Sequence, residues 1–366
     1  MPDPTRSTEG TPPLPQPGSV LPTMGTQRPC PVPGNAPSER FRPLTRLGLG
    51  GVAIGNGFAA ATDAQCEATL ATAWEAGVRY FDTSPWYGLG LSERRFGRFL
   101  HGQPRSEYTL SSKVGRLLCA TAGPLPETMW EQPSPFRHRY DYSAAGTRRS
   151  VEDSLNRLGV EQLDVVFIHD LSPDNEDDLG MPWERRFAEA AKGAMPELTR
   201  MRSEGLIKAW GFGVNCPEPA LLALEESDPD IFLLACQYSL LDHARALRET
   251  FPRIAARGAS VVVGSPLLAG YLGGRDRYLY EGEVPDGAPD RRARVQAVCG
   301  RHGVDLRTVA LQFAAAPNVV SAVIPGARTP AQVRANVESM AVAVPPALWD
   351  ELRHEALIEP DAPVPG

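Results

Sequence analysis

Lysine is nearly absent from this 366-residue chain: of 37 basic residues only Lys113, Lys192 and Lys208 are not arginine. Other signals are missing as well. The six cysteines, at positions 30, 66, 119, 216, 236 and 299, include no CxxC pair. That spacing indicates neither a zinc cluster nor a disulfide framework. No apolar run approaches the roughly 20 residues of a membrane span. The N-terminus lacks the basic-then-apolar order of a secretion signal, so a reducing cytoplasm is the expected compartment. A formal net charge of −7 argues against a general nucleic-acid surface. With 42% hydrophobic and 22% charged residues the composition is that of a globular protein. Neither nucleic acid nor membrane is an expected partner.

Residues 1–40 hold eleven prolines and almost no apolar periodicity, so they are expected to form a disordered or extended arm. From residue 41 to 356 strand and helix signals alternate. Strands are expected at 45–50, 78–82, 108–113, 163–168, 207–213, 231–236, 260–263 and 319–324. Helices are expected at 63–76, 91–101, 147–158, 184–204, 217–227, 244–257, 289–302 with 305–315, 329–339 and 346–356. Eight strands each followed by a helix predict an α/β protein built as one (β/α)8 TIM barrel, with a doubly wound open sheet as the alternative. Residues 357–366 are read as a flexible tail. Two connections, 114–146 and 264–288, are long and carry aromatic residues, as loops that build a pocket do. The acidic run from Asp174 to Asp178 reads as a solvated loop.

Three of the expected strands end in ionisable side chains. Val78–Asp82 ends in a carboxylate and is followed, across a Pro-containing turn, by Tyr87; Tyr108–Lys113 ends in an amine; Leu163–His169 ends in an imidazole. Strand ends of a parallel α/β protein share one face, the face where chemistry is done. A carbonyl accepts hydride only if its oxygen is protonated or polarised as charge builds. Tyr87 is suited to deliver that proton if its pKa, normally about 10, falls. The Lys113 ammonium is expected to lower it by favouring phenolate, and Asp82 to pair with Lys113. His169 is suited to donate a hydrogen bond to the substrate oxygen. No metal is required. Taken singly, a Tyr beside a turn is a rim residue, a strand-end His is structural and a strand-end Asp caps a helix. Their joint placement on strands two, three and four overrides those readings.

This Asp, Tyr, Lys, His pattern resembles the aldo/keto reductase superfamily. The segment from Phe81 through Asp82, Trp86, Tyr87 and Gly88 to Arg95 resembles most closely the branch of D-threo-aldose 1-dehydrogenase, L-fucose dehydrogenase and pyridoxal 4-dehydrogenase. The resemblance runs from about residue 41 to 340. It implies a TIM barrel, a nicotinamide cofactor (NAD or NADP) bound without a Rossmann domain, and a carbonyl or sugar substrate. The tetrad it implies is Asp82, Tyr87, Lys113 and His169, with Tyr87 as general acid/base. Trp86 and Trp130 are the substrate-facing candidates.

After the last strand come Gly326 and Arg328, then Thr329-Pro330-Ala331-Gln332, which reads as an N-cap, a first helical proline and a capping box. A helix start after the eighth strand offers free N–H groups to a phosphate. The resemblance places Gly326, Arg328, Gln332 and Asn336 along adenosine, Asn215 and Gln237 at the nicotinamide amide, and Ser265, Pro266 and Leu267 over the pyrophosphate. Many NADPH-preferring members carry Lys and Arg where Gly326 and Gln332 stand, so NAD is favoured. A Tyr that commonly stacks on nicotinamide is here Gly264. The stretch from Gly48 to Ala53 satisfies GxGxxA, but Ile54-Gly55-Asn56-Gly57 follows where a Rossmann turn would open a helix. Gly51 therefore reads as part of a glycine-rich first loop beside the cofactor. A cofactor-holding sensor subunit, and a lyase or epimerase with tightly bound cofactor, are the competing functional readings.

Overall fold

Side chains alternate between the two faces of every barrel strand, and here both faces are apolar, as the near-continuous hydrophobic runs require. The computed structural model describes residues 40–125, 127–280 and 283–365. Its strands in chain order are β1 (Leu49–Gly50), β2 (Tyr80–Asp82), β3 (Thr109–Val114), β4 (Arg116–Ala120), β5 (Phe136–Tyr140), β6 (Leu163–His169), β7 (Ile207–Val214), β8 (Ile231–Ala235), β9 (Ser260–Gly264) and β10 (Val320–Ile324). Eight of them form one parallel sheet in the order β1-β2-β3-β6-β7-β8-β9-β10. Parallel bridges Leu47–Val323 and Gly50–Gly326 join its two ends, so the sheet closes on itself. This is the expected (β/α)8 barrel. Among the described residues no helix is long and apolar enough to cross a membrane.

Tyr80, Phe167, Leu233 and Ile324 fill the inside of the ring. Their chain neighbours Phe81, Val166, Phe232 and Val323 face outward into the layer beneath the helices. The same alternation governs the ends of the strands. Tyr80 pairs with Thr109 and Asp82 with Ser111, while Lys113 pairs with Phe167 and His169 with Gly213. Asp82, Lys113 and His169 thus follow the inward rows, at the carboxyl ends of β2, β3 and β6.

The structure departs from expectation in four places. The 184–204 helix is two helices, Trp183–Lys192 and Ala194–Ser203, because the chain at Gly193 comes so close to Tyr142 that a Cβ would lie 2.4 Å from its carbonyl oxygen. The 244–257 helix opens with a π turn at Ala246–Thr250, just before Pro252, which has no N–H to continue regular bonding. The 114–146 connection contains the antiparallel hairpin β4–β5. Finally, residues 357–365 are packed and not a flexible tail: Leu357 and Ile358 are buried, and Arg353 holds the Ala362 carbonyl at 3.0 Å. The proline-rich arm lies, but for Arg40, outside the described residues.

Gly211 in β7 shows how tightly the ring is drawn. A Cβ there would sit 1.7 Å from the Ile231 carbonyl oxygen, a backbone atom that cannot rotate away. Gly211→Ala should destabilise the protein by roughly 3 kcal/mol, the scale of an overpacked core. A chemical-denaturation midpoint equal to that of the parent would contradict this.

Candidate active site

Lys113 carries a buried ion into the mouth of the barrel. Its Nζ donates to Asp82 Oδ2 at 2.7 Å and to the Thr83 carbonyl at 2.9 Å. Ser111 Oγ donates to the other Asp82 oxygen at 2.7 Å. Burial pulls the amine below and pushes the carboxyl above its ordinary value, and the ion pair with its hydrogen bonds opposes both shifts. We assign the charged pair, because every polar atom of it has a partner.

Tyr87 is held by a turn that closes with Tyr87 N–H on the Ser84 carbonyl at 3.1 Å. The glycine-rich loop below it must come very near. A Cβ on Gly55 would meet the Tyr87 backbone at 2.8 Å, and one on Gly88 the Gly55 carbonyl at 2.4 Å. This loop is a run of turns and no helix, so GxGxxA here is not a Rossmann turn. Lys113 Nζ lies 4.6 Å from the centre of the Tyr87 ring. The expected lowering of the phenol pKa is not found. Burial, with Asp82 next, pushes Tyr87 well above the usual 10. Asp82 lies beside the ammonium and offsets its field at the phenol, so the phenol keeps its proton.

His169 completes the group, its ring 5.7 Å from that of Tyr87. Ser84 Oγ accepts from the Trp86 N–H at 3.1 Å and lies 3.2 Å from His169 Nδ1. The Ser84 hydroxyl proton is free to be given to Nδ1, and Asp170 Oδ2 stands 3.5 Å from Nε2; a carboxylate facing Nε2 favours the imidazole hydrogen there. Burial first, then the charges of Lys113 and Arg116, holds the ring well below the usual 6.5. It stays neutral and a donor at Nε2.

These groups open into a cavity of about 850 Å³ that also takes in Trp86 and Trp130. Gly51, Asn215, Ser265, Pro266 and Leu267 line it, as do Gly326, Arg328, Gln332 and Asn336. Gln237 does not; its amide donates to the Val214 carbonyl at 3.3 Å, and Cys236 lines the wall instead. Asn215 Nδ2 donates to Asp174 at 3.2 Å and caps no helix. Thr329 Oγ1 accepts from Gln332 N–H at 3.3 Å, and Gln332 Oε1 accepts from Arg328 N–H at 2.7 Å. The capping box is displaced by one residue from its usual partner.

Several lining residues carried no sequence signal. Arg116, three residues beyond Lys113, donates to Asp170 and to Asp178, the latter at 2.9 Å. The run 174–178 is therefore part of the wall and not merely solvated loop. Arg275, Arg277 and Arg328 crowd the outer end, where burial and then the Arg275 charge pull Arg277 and Arg328 below the usual guanidinium range. Arg277 lies 3.7 Å over the Phe58 ring, and Arg328 Nη2 reaches the Gly57 carbonyl at 2.5 Å. Such a set suits an anion. Left-handed backbone at Asp170, Cys236 and Ser265, each directly after a barrel strand, marks the same rim. Among the described residues no group of His, Cys, Asp and Glu is placed to hold a metal.

A parallel eight-stranded barrel with Asp, Tyr, Lys and His gathered inside its carboxyl end defines the class of protein: an α/β barrel with an ionisable pocket at one mouth. The aldo/keto reductase family model matches residues 46–354, and the chain belongs to that family of oxidoreductases. It is 36% identical to D-threo-aldose 1-dehydrogenase of a Pseudomonas species, over 86% of this chain and 95% of that protein. Pyridoxal 4-dehydrogenase of Microbacterium luteolum is 34% identical over the same shares of each. Among solved structures, the holo form of an aldo-keto reductase from Bacillus halodurans superposes with a TM-score of 0.65 at 27% identity, covering 86% of this chain and 92% of that one.

Because the folded ring resists protonation, its contribution to stability is complete above the usual pKa of about 6.5 and is lost as pH falls below it. NMR of the His169 imidazole should show the neutral Nε2–H ring throughout the interval in which a free imidazole titrates. Titration at the ordinary value would contradict the assignment.

Proposed function

We propose that the protein is a nicotinamide-dependent oxidoreductase of free sugars, oxidising an aldose at its anomeric carbon to the lactone, with Tyr87 as acid/base. The observation that carries this reading is the convergence of four side chains: the Lys113–Asp82 contact of 2.7 Å, the Tyr87 ring 4.6 Å from Lys113 Nζ, and the His169 ring 5.7 Å from that of Tyr87. The resemblance to D-threo-aldose 1-dehydrogenase supports a sugar; the resemblance to pyridoxal 4-dehydrogenase extends the class to an aldehyde in hemiacetal form.

The donor set fits an anionic dinucleotide. Arg275, Arg277 and Arg328 supply cations at the outer end of the cavity, and the helix Pro330–Ala341 opens there with its capped N-terminus. Asn215 offers an amide in the inner part of the same cavity. When bound, nicotinamide takes up or releases the hydride. Everything else falls to the protein. Tyr87 takes the proton of the anomeric hydroxyl in oxidation and returns it in reduction. His169 Nε2–H donates to the same oxygen and fixes its direction. The Lys113–Asp82 pair positions the Tyr87 ring. Trp86 and Trp130, with ring centres 5.7 Å apart, form an apolar wall that limits water. A neutral Tyr87 at rest makes carbonyl protonation the ready half of the reaction, and alkaline conditions favour the oxidative half.

NAD is the preferred cofactor on this reading. Gly326 and Gln332 carry no charge, and Gln332 Oε1 is already engaged by the Arg328 N–H. Titration followed by tryptophan fluorescence should show NAD binding roughly tenfold tighter than NADP, the equivalent of one charge-assisted contact. Tighter NADP would overturn the preference.

A panel of free aldoses and aldehydes assayed at 340 nm with each cofactor tests the activity itself. Tyr87→Phe should abolish turnover, a loss of at least roughly 100-fold, while cofactor still quenches tryptophan fluorescence. Turnover close to that of the parent enzyme would refute the acid/base role.

A further inference from the structure

Asp170 is the first residue after β6 and sits in left-handed backbone at φ 46°. Its N–H bonds the Gly213 carbonyl at 3.0 Å, which ties this turn to the neighbouring strand. The carboxylate lines the cavity. Oδ2 accepts from Arg116 Nη1 and lies 3.5 Å from His169 Nε2. Arg116 cannot easily swing away, since only 3% of its side chain is exposed and its other nitrogen holds Asp178 at 2.9 Å. The Trp86 and Tyr140 rings flank its guanidinium at 4.7 and 5.0 Å. Asp170 is thus a carboxylate locked in place beside the donor atom of His169. Both of these contacts fall on Oδ2, and among the described residues Oδ1 accepts no hydrogen bond.

The geometry points to Asp170 as a specificity-determining residue that accepts a hydrogen bond from the hydroxyl on the carbon next to the reacting carbon. This rests on the reading of the site as an aldose dehydrogenase. Asp170 Oδ2 lies 3.5 Å from His169 Nε2, so if Nε2 holds the reacting oxygen, the oxygen on the adjacent carbon can reach the Asp170 carboxylate. A carboxylate paired with an arginine is an acceptor, so it selects a donor: a hydroxyl satisfies its free Oδ1, whereas a bare CH2 leaves that oxygen without a partner. Arg116 does not alter this preference, because Asp170 and Asp178 already engage its charge. The wall therefore has no spare cation for a phosphate or carboxylate on the substrate, and a free hydroxylated sugar is the class it fits.

The test compares D-arabinose with 2-deoxy-D-ribose, its 2-deoxy counterpart, in the parent enzyme and in Asp170→Asn. The parent should favour D-arabinose in kcat/KM by roughly ten- to a hundredfold, as expected for one hydrogen bond to a charged group. In Asp170→Asn that ratio should fall toward unity. A ratio that survives the substitution overturns the assignment, because a merely structural role would slow both sugars alike. Should the variant not fold, the parent ratio alone decides, and a value near one overturns the assignment. Turnover of neither sugar, with cofactor binding intact, sinks the aldose dehydrogenase reading on which the proposal stands.

Discussion

The ion pair between Lys113 and Asp82 is the constraint on which the mouth of the barrel depends. Both side chains are almost wholly removed from water, at 1% and 2% exposure. Breaking such a pair by deleting one member leaves a bare buried charge and costs about 3–5 kcal/mol. The pair survives because its surroundings are polar where they must be, with Ser111 on one carboxylate oxygen and the Thr83 carbonyl on the ammonium. It also sets the chemistry. Tyr87 remains a neutral phenol because it is buried, with the Asp82 carboxylate adding to that shift. The amine lies 4.6 Å from the ring centre without bringing the phenol pKa down.

Around that pair the cavity divides by charge. Outward lie three arginines without a described acidic partner within ion-pair distance, suited to a doubly anionic ligand. Beside His169, Arg116 is engaged by Asp170 and Asp178, so its charge is already paired. On the proposed function this difference in charge gives the two ligands different ends of one cavity, with Tyr87 and His169 between them.

Much of this was legible along the chain, for a definite reason. A strand buried on both faces writes an unbroken apolar run, and an ionisable residue at its end stands out against it. The eight strands and the tetrad were read in that way. The β4–β5 hairpin was not, because neither strand writes an apolar run: Arg116–Ala120 lacks alternation, and Phe136–Tyr140 alternates rings with basic residues while no side of it is fully buried. With the hairpin unseen, Arg116 had no place, and Asp174 to Asp178 looked like a solvated run because the partner that draws Asp178 in lies 62 positions away. Gln237 was placed by likeness to relatives, yet the left-handed turn at Cys236, just past the end of β8, leaves Cys236 on the cavity wall in its stead. The tail from 357 looked loose because its anchors, Arg291 and Arg353, are donors to backbone carbonyls, contacts that leave no trace in side-chain pattern.

The amino-acid order alone determined the barrel and pointed to four ionisable side chains that meet at one mouth of it, since periodicity and strand ends are local properties. Only the tertiary structure decided their electrical state and their neighbours. Burial and pairing are set by residues far apart in the chain, and they alone made Tyr87 a stubborn acid, kept His169 neutral and brought Arg116 and Asp170 to its side.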